Sequence, residues 1–174
     1  MTLKNIEERR KARKKTSAED FTPLKLVNEI LDRLSIDSNN EVWKEDKTFV
    51  DPACGNGNFL IEVLKRKLKL KHDPIIALST IYGADIMLDN INECRLRLIK
   101  AMAIYAKENK LPKPDPIEVI KILKMNIKWT PLKNYPNGSL DYNFQFNDEV
   151  NNETAQKTLD KIRQEKLLDQ VSIS

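Results

Sequence analysis

Two glycines one position apart, Gly55 and Gly57, follow an acid in the run Asp51-Pro52-Ala53-Cys54-Gly55-Asn56-Gly57-Asn58-Phe59-Leu60. Glycine carries no Cβ, so backbone at these positions can approach a ligand closely. A β-type run, Thr48-Phe49-Val50, precedes the loop, and Leu60, Val63, Leu64 and Leu68 follow it at helical spacing. The loop therefore lies where a strand turns into a helix, and the helix would aim its unpaired N–H groups and positive dipole end into the same space. Asp51 closes the strand as an acceptor, at the carboxyl end where α/β sheets bind ligands. This chemistry suits holding a cofactor. A Gly-x-Gly pair by itself is equally compatible with a tight strand-to-helix connection.

A second acid has a comparable position. Ile81-Tyr82-Gly83-Ala84-Asp85-Ile86 reads as a buried strand ending in Asp85, 34 residues beyond Asp51. At the end of the second strand of a nucleotide-binding α/β fold, a carboxylate can accept from both ribose hydroxyls. The spacing exceeds the roughly 20 residues of dinucleotide enzymes, and an inserted segment at 73–80, where Asp73-Pro74 can start a short helix, accounts for the excess. A helix-capping carboxylate is the plainer alternative for Asp85. Asp89 offers an N-cap for a helix with Ile91, Cys94, Leu98, Met102 and Tyr105 on one face. Upstream, Thr22 is a suitable N-cap and Pro23 a suitable first residue for a helix with apolar positions Leu26, Val27, Ile30, Leu31 and Leu34.

Asp-Pro-Ala-Cys-Gly-Asn-Gly-Asn-Phe-Leu closely resembles the S-adenosylmethionine loop of DNA methyltransferases that modify the exocyclic amino group of adenine, where Ser usually stands in place of Asn56. Phe21-Thr22-Pro23 ahead of the loop and Tyr-Gly-x-Asp-Ile after it are similar to segments at matching places in that family. The resemblance implies an α/β, Rossmann-like methyltransferase fold with a parallel sheet and flanking helices. It implies S-adenosyl-L-methionine as cofactor and DNA as partner, in the setting of restriction-modification. By the same resemblance Phe21, Thr22, Pro23, Asp51, Pro52, Ala53, Cys54, Gly55, Gly57 and Phe59 would hold the methionine end. Asp85 would hold the ribose and Ile86 the adenine. Asn126-Ile127-Lys128-Trp129-Thr130-Pro131-Leu132 is one residue shorter than the family's corresponding stretch and lacks its acid, which leaves Trp129 and Thr130 for the adenine edge.

The resemblance covers about residues 19–132 and then departs. The family's catalytic Asn/Asp-Pro-Pro-Tyr/Phe, which grips an adenine turned out of the duplex, does not occur; Asn134-Tyr135-Pro136-Asn137-Gly138 has similar letters in another order and reads as a turn. No catalytic residue is assigned. After Trp129 the sequence offers an irregular strand at 140–146 and a charged helix from about 153 to 169 with a thin apolar stripe of Ile162, Leu167 and Leu168. The sheet is thus expected to stop after about three core strands, leaving the central strand at 48–51 with an open edge unless the C-terminal segment covers it. Open edges invite pairing, so a homodimer or a partner chain supplying the substrate half is expected. The alternatives are a cofactor-binding accessory or regulatory module without methyl transfer, and an enzyme that degrades the cofactor.

Three parts are expected: a basic N-terminal arm at 1–18, the cofactor-binding domain at 19–147, and the charged helix at 148–174. The arm carries Lys4, Arg9, Arg10, Lys11, Arg13, Lys14 and Lys15, which suits either phosphate contact or simple solvation. With 174 residues, 40% hydrophobic and 32% charged, the chain is sized for one core, and its net charge of +4 permits nucleic-acid binding without demanding it. No apolar run approaches the roughly 18 residues of a membrane span, and the basic N-terminus lacks a signal peptide's apolar core, so a cytoplasmic protein is expected. Two cysteines and a single histidine, His72, do not make a tetrahedral zinc site, and no metal is expected. His72 reads as solvated, and the cluster Lys65, Arg66, Lys67, Lys69 and Lys71 lies near a helix C-terminus, which favours cations by its dipole.

Overall fold

The computed structural model describes residues 21–130 and 149–164. Three parallel strands, β1 (Phe49–Asp51), β2 (Ile81–Asp85) and β3 (Ile127–Trp129), form a sheet in the order β1-β2-β3. Asp51 lies beside Gly83 and Asp85 beside Trp129, so the carboxyl ends of all three strands meet at one rim. β2 is central, and β1 pairs with no other strand among the described residues.

Helices fill in around this sheet. α1 (Leu24–Asp37) precedes β1, α2 (Asn58–Lys69) and the short α3 (Pro74–Ser79) connect β1 to β2, and α4 (Leu88–Glu108) and α5 (Pro116–Asn126) connect β2 to β3. α2 forms because its apolar positions recur every three or four residues, and Leu60, Val63, Leu64 and Leu68 are all buried. Each contributes about 1.5–3 kcal/mol by leaving water. α2 packs on β1, β2, α1 and α4, and α4 continues the layer along β2 and β3. Gly83 is what allows α2 so close: a Cβ there would stand 2.6 Å from Leu60 Cδ1 and 3.1 Å from Cys54 Sγ. Trp43 packs on the first strand, stacking on Phe49 at 5.2 Å.

Several local expectations need correction. α1 begins one residue later than the Thr-Pro pair suggested: Pro23 occupies the cap position and Thr22 makes no cap hydrogen bond. Only Val27 and Leu31 of its apolar stripe are buried, while Leu26, Ile30 and Leu34 are exposed. α4 likewise begins before Asp89, with Met87 at its cap, because the carboxylate of Asp85 accepts from the Met87 N–H and starts the turn. His72 is half-buried rather than solvated.

The largest departure is Lys67, which is fully buried. Its Nζ donates to the main-chain carbonyls of Lys44, Glu45 and Lys47 and to Thr80 Oγ1, at 2.6–3.5 Å. It ties the segment entering β1 to the segment entering β2. Burial holds its pKa below the usual lysine value, yet four acceptors around one ammonium favour the charged form.

The short helix capped by Asp73 forms as read. α5 runs directly into β3, ending at Asn126 where Ile127 takes up the strand. α6 (Asn152–Gln164) begins where the charged helix was expected, but Ala155 and Leu159 supply its contact with Ile120 of α5, joined by Ile162 at the margin. The N-terminal arm, the segment 131–148 with its expected turn and strand, and Leu167 and Leu168 lie outside the described residues. No helix among the described residues is long and apolar enough to cross a membrane.

Candidate functional site

The loop after β1 folds back on the sheet rather than away from it. The Cys54 N–H donates to Ala84 O at 2.9 Å, extending the β1–β2 pairing past the end of β1, and the Gly57 N–H then donates to Cys54 O to close a turn. Gly55 (φ +51°) and Gly57 (φ +87°) both take the left-handed backbone that glycine adopts without strain. Gly57 has a second reason to be glycine, because a Cβ would stand 2.5 Å from Cys94 Sγ on α4.

A cavity of about 150 Å³ opens against this loop. Its wall is Asp51, Ala53, Cys54, Gly55, Asn56, Asn58 and Phe59 from the loop and the start of α2, Asp85 from β2, and Phe21 and Thr22 from the segment before α1. Residues more than 60 positions apart in the chain thus share one wall. The Phe21 ring lies over Gly55, its Cδ1 and Cε1 3.0 Å from where a Gly55 Cβ would be.

Of the residues singled out from the sequence, Pro23, Pro52 and Gly57 flank the cavity without lining it. Ile86, Trp129 and Thr130 form a separate shelf at the same sheet rim, beside Asp85. There the Trp129 Nε1–H donates to Ile86 O at 3.0 Å and the Thr130 N–H to Asp85 O at 2.9 Å. Ile86 and Trp129 are each about half exposed. Sequence reasoning passed over Asn56 and Asn58, which line the cavity. Their position between and just after the two glycines was the available signal.

The polar groups of the wall are mostly acceptors. Burial, with Asp85 nearby adding to it, pushes the Asp51 carboxyl above the usual carboxylate range, against the pull of the Ala53 N–H at 3.1 Å. Asp85 accepts from the Gly55 N–H (2.9 Å) through Oδ2, and from the Met87 N–H (2.8 Å) and Asn90 Nδ2 (3.2 Å) through Oδ1. An ionised carboxylate has about four acceptor sites, so Oδ2 keeps one for a further donor. Asn56 gives its Nδ2 to Glu93, while its Oδ1 is buried with no hydrogen-bond partner among the described residues. Contact with the Cys94 thiol, and then burial, hold the Cys54 pKa well above the usual thiol value, which disfavours the thiolate. Among the described residues no group of three or more His, Cys, Asp or Glu side chains could hold a metal ion.

A glycine-bearing loop between the first parallel strand and its helix, with a carboxylate at the tip of the next strand, defines a Rossmann-like α/β protein. The model of one family, N-6 DNA methylase, matches residues 6–160, and the chain belongs to that family. No curated protein matches the chain and no solved structure does. The family is one of enzymes that methylate DNA, and S-adenosylmethionine is the methyl donor its chemistry uses.

Proposed function

We propose that this chain binds S-adenosylmethionine across the β1–β2 rim and serves the methylation of adenine amino groups in DNA together with a partner chain. The observation that carries the binding reading is the acceptor-rich wall with its orphaned Asn56 Oδ1. A buried acceptor without a donor costs about 1–3 kcal/mol, and a ligand with N–H groups and positive charge relieves it. The amino-acid end of this cofactor carries an ammonium and a sulfonium. At about 150 Å³ the cavity is smaller than whole-ligand pockets of about 300–1,000 Å³. It suits that end alone, with the nucleoside lying out along Asp85, Ile86 and Trp129. The residues present therefore fit the group.

In this reading Asp51 and Asn56 hold the ammonium end, Phe21 covers Gly55 and excludes water, and Asp85 takes a ribose hydroxyl through its remaining acceptor site. The bound cofactor supplies a methyl group on sulfur that is open to in-line displacement by a nitrogen nucleophile. The chain's share is alignment and desolvation, which lower the barrier without any covalent intermediate on the protein. The adenine-gripping Asn/Asp-Pro-Pro-Tyr/Phe is absent from the sequence, so the partner supplies it. The open edge of β1, beside Asp51, is where a further strand would bring it to the cavity.

Titration calorimetry with S-adenosylmethionine and its demethylated product tests the binding claim, and no heat with either ligand would reject it. Transfer of tritiated methyl to adenine-containing DNA, by the chain alone and with partner chains, separates a catalytic half from an accessory module that binds the cofactor and transfers nothing.

A further inference from the structure

Asn58 is the first residue of α2, and its side chain bridges two other elements. Arg97 of α4 donates through Nη1 to Asn58 Oδ1 and to the main-chain oxygen of Asn56, each at 2.8 Å. With its oxygen taken by the guanidinium, the Asn58 amide must turn its Nδ2 the other way. It donates at 2.9 Å to the carbonyl of Thr22, in the strap Phe21-Thr22-Pro23 that forms the far wall of the cavity. The orientation is fixed by chemistry, since a guanidinium only donates and a carbonyl only accepts.

We propose that Asn58, oriented by Arg97, is the positioning residue that fastens the Phe21–Pro23 strap to the glycine loop and so sets how long a ligand remains in the cavity. The proposal rests on the cofactor reading above and adds to it a latch. Pro23 has no N–H, α1 starts only at Leu24, and the Thr22 side chain makes no cap hydrogen bond. The Asn58 amide supplies the strap with a side-chain tie to the loop. The strap in turn carries Phe21, whose ring covers Gly55. Loosening Asn58 would let the ring swing off the cavity without disturbing any residue that donates to or accepts from the ligand in the proposed site.

Asn58→Asp separates the two halves of the bridge. A carboxylate keeps the Arg97 partner and, at the first position of a helix, is favoured by the helix dipole. It has no donor for Thr22 O, however, and faces that carbonyl with a second acceptor. The variant therefore keeps α2 and the loop while releasing the strap. Asn58→Ala removes both ties.

The experiment measures amide hydrogen exchange without ligand, and the dissociation rate of the demethylated cofactor, for the full wild-type chain and both variants. Expected are faster exchange across residues 21–27 in both variants, unchanged protection along α2 in Asn58→Asp, and ligand dissociation about three- to tenfold faster, the effect of one hydrogen bond. Unchanged exchange of the strap in Asn58→Asp would overturn the latch, as would loosening in Asn58→Ala alone, which would assign the effect to Arg97. A loosened strap with unchanged dissociation would overturn its control of the ligand. A wild-type chain without affinity for the ligand would sink the cofactor reading and the dwell-time claim with it, while the exchange comparison would still decide the latch.

Discussion

Gly57 and Cys94 occupy one small volume where the loop meets α4, and neither position can grow unless the other shrinks. Gly57→Ala should cost about 2–4 kcal/mol, combining overpacking with a left-handed φ that alanine resists. Cys94→Ala in the same chain should recover part of that loss, leaving the backbone strain, and a denaturant double-mutant cycle measures the coupling. Asp51 makes a different trade. Its folded pKa is raised, chiefly by burial, so its contribution to stability is present at low pH and lost as pH rises through the raised value. Asp51→Asn should therefore raise the melting temperature slightly at pH 7, by about 1–2 °C. It should weaken binding of the cationic cofactor by about tenfold. In the wild type, affinity should begin to fall on acidification above the usual carboxylate range, and calorimetry across pH should find that step absent in the variant. At this scale the sequence was a good guide to the loop, because Gly55, Gly57 and Asp51 owe their roles to main-chain position. It did not reveal that Asp85 is both a wall of the cavity and the turn-starter for α4, since one carboxylate serves both.

Among the elements, α2 shows how position overrides residue type. Lys67 falls on the same helical face as Leu60, Val63, Leu64 and Leu68, and that spacing already placed it inside. Its charge made it look like one of the surface cations around it. The ammonium is tolerated because it finds four oxygens, three of them main-chain carbonyls. Lys67→Met keeps the volume and removes the donors, leaving Thr80 Oγ1 and the carbonyls to compete for water. A loss of about 2–3 kcal/mol is expected, seen as a melting temperature about 5–10 °C lower. The helix ends shifted by one or two residues from the sequence expectation for a related reason. Caps are set by whichever acceptor reaches the first N–H, and at α4 that acceptor came from β2 rather than from Asp89. The parallel pairing of the strands, by contrast, followed directly from three β-type runs separated by helical ones.

For the whole molecule, the edge of β1 that is open among the described residues is the one on which the proposed partner role turns. Val50 at its centre is 59% exposed, on a strand paired on one side among the described residues. If a partner adds a strand there, a charge at that position should oppose it while leaving the isolated chain intact, since exposed substitutions change stability by about 0.5 kcal/mol or less. Val50→Lys should keep the melting temperature and cofactor affinity of the wild type and lose the association with the partner, as read by sedimentation velocity. An unchanged association would move the interface elsewhere, the exposed Leu26, Ile30 and Leu34 flank of α1 being the next surface to test. The β1–β2 half of the fold was readable because it is built from contiguous motifs around single turns. The arrangement of a partner depends on surfaces whose complement lies in another sequence.

The seclusion of one amine has a practical side. Reagents that acylate amines reach lysines in proportion to their contact with solvent, and Lys67 has none in the folded chain. Its neighbours Lys65 and Lys69 on α2 would take up such a label at once, whereas Lys67 would react only as often as α2 lifts from the sheet. Timed labelling followed by peptide mass analysis would thus read the opening rate of the core from one residue, with its own helix supplying the internal standard.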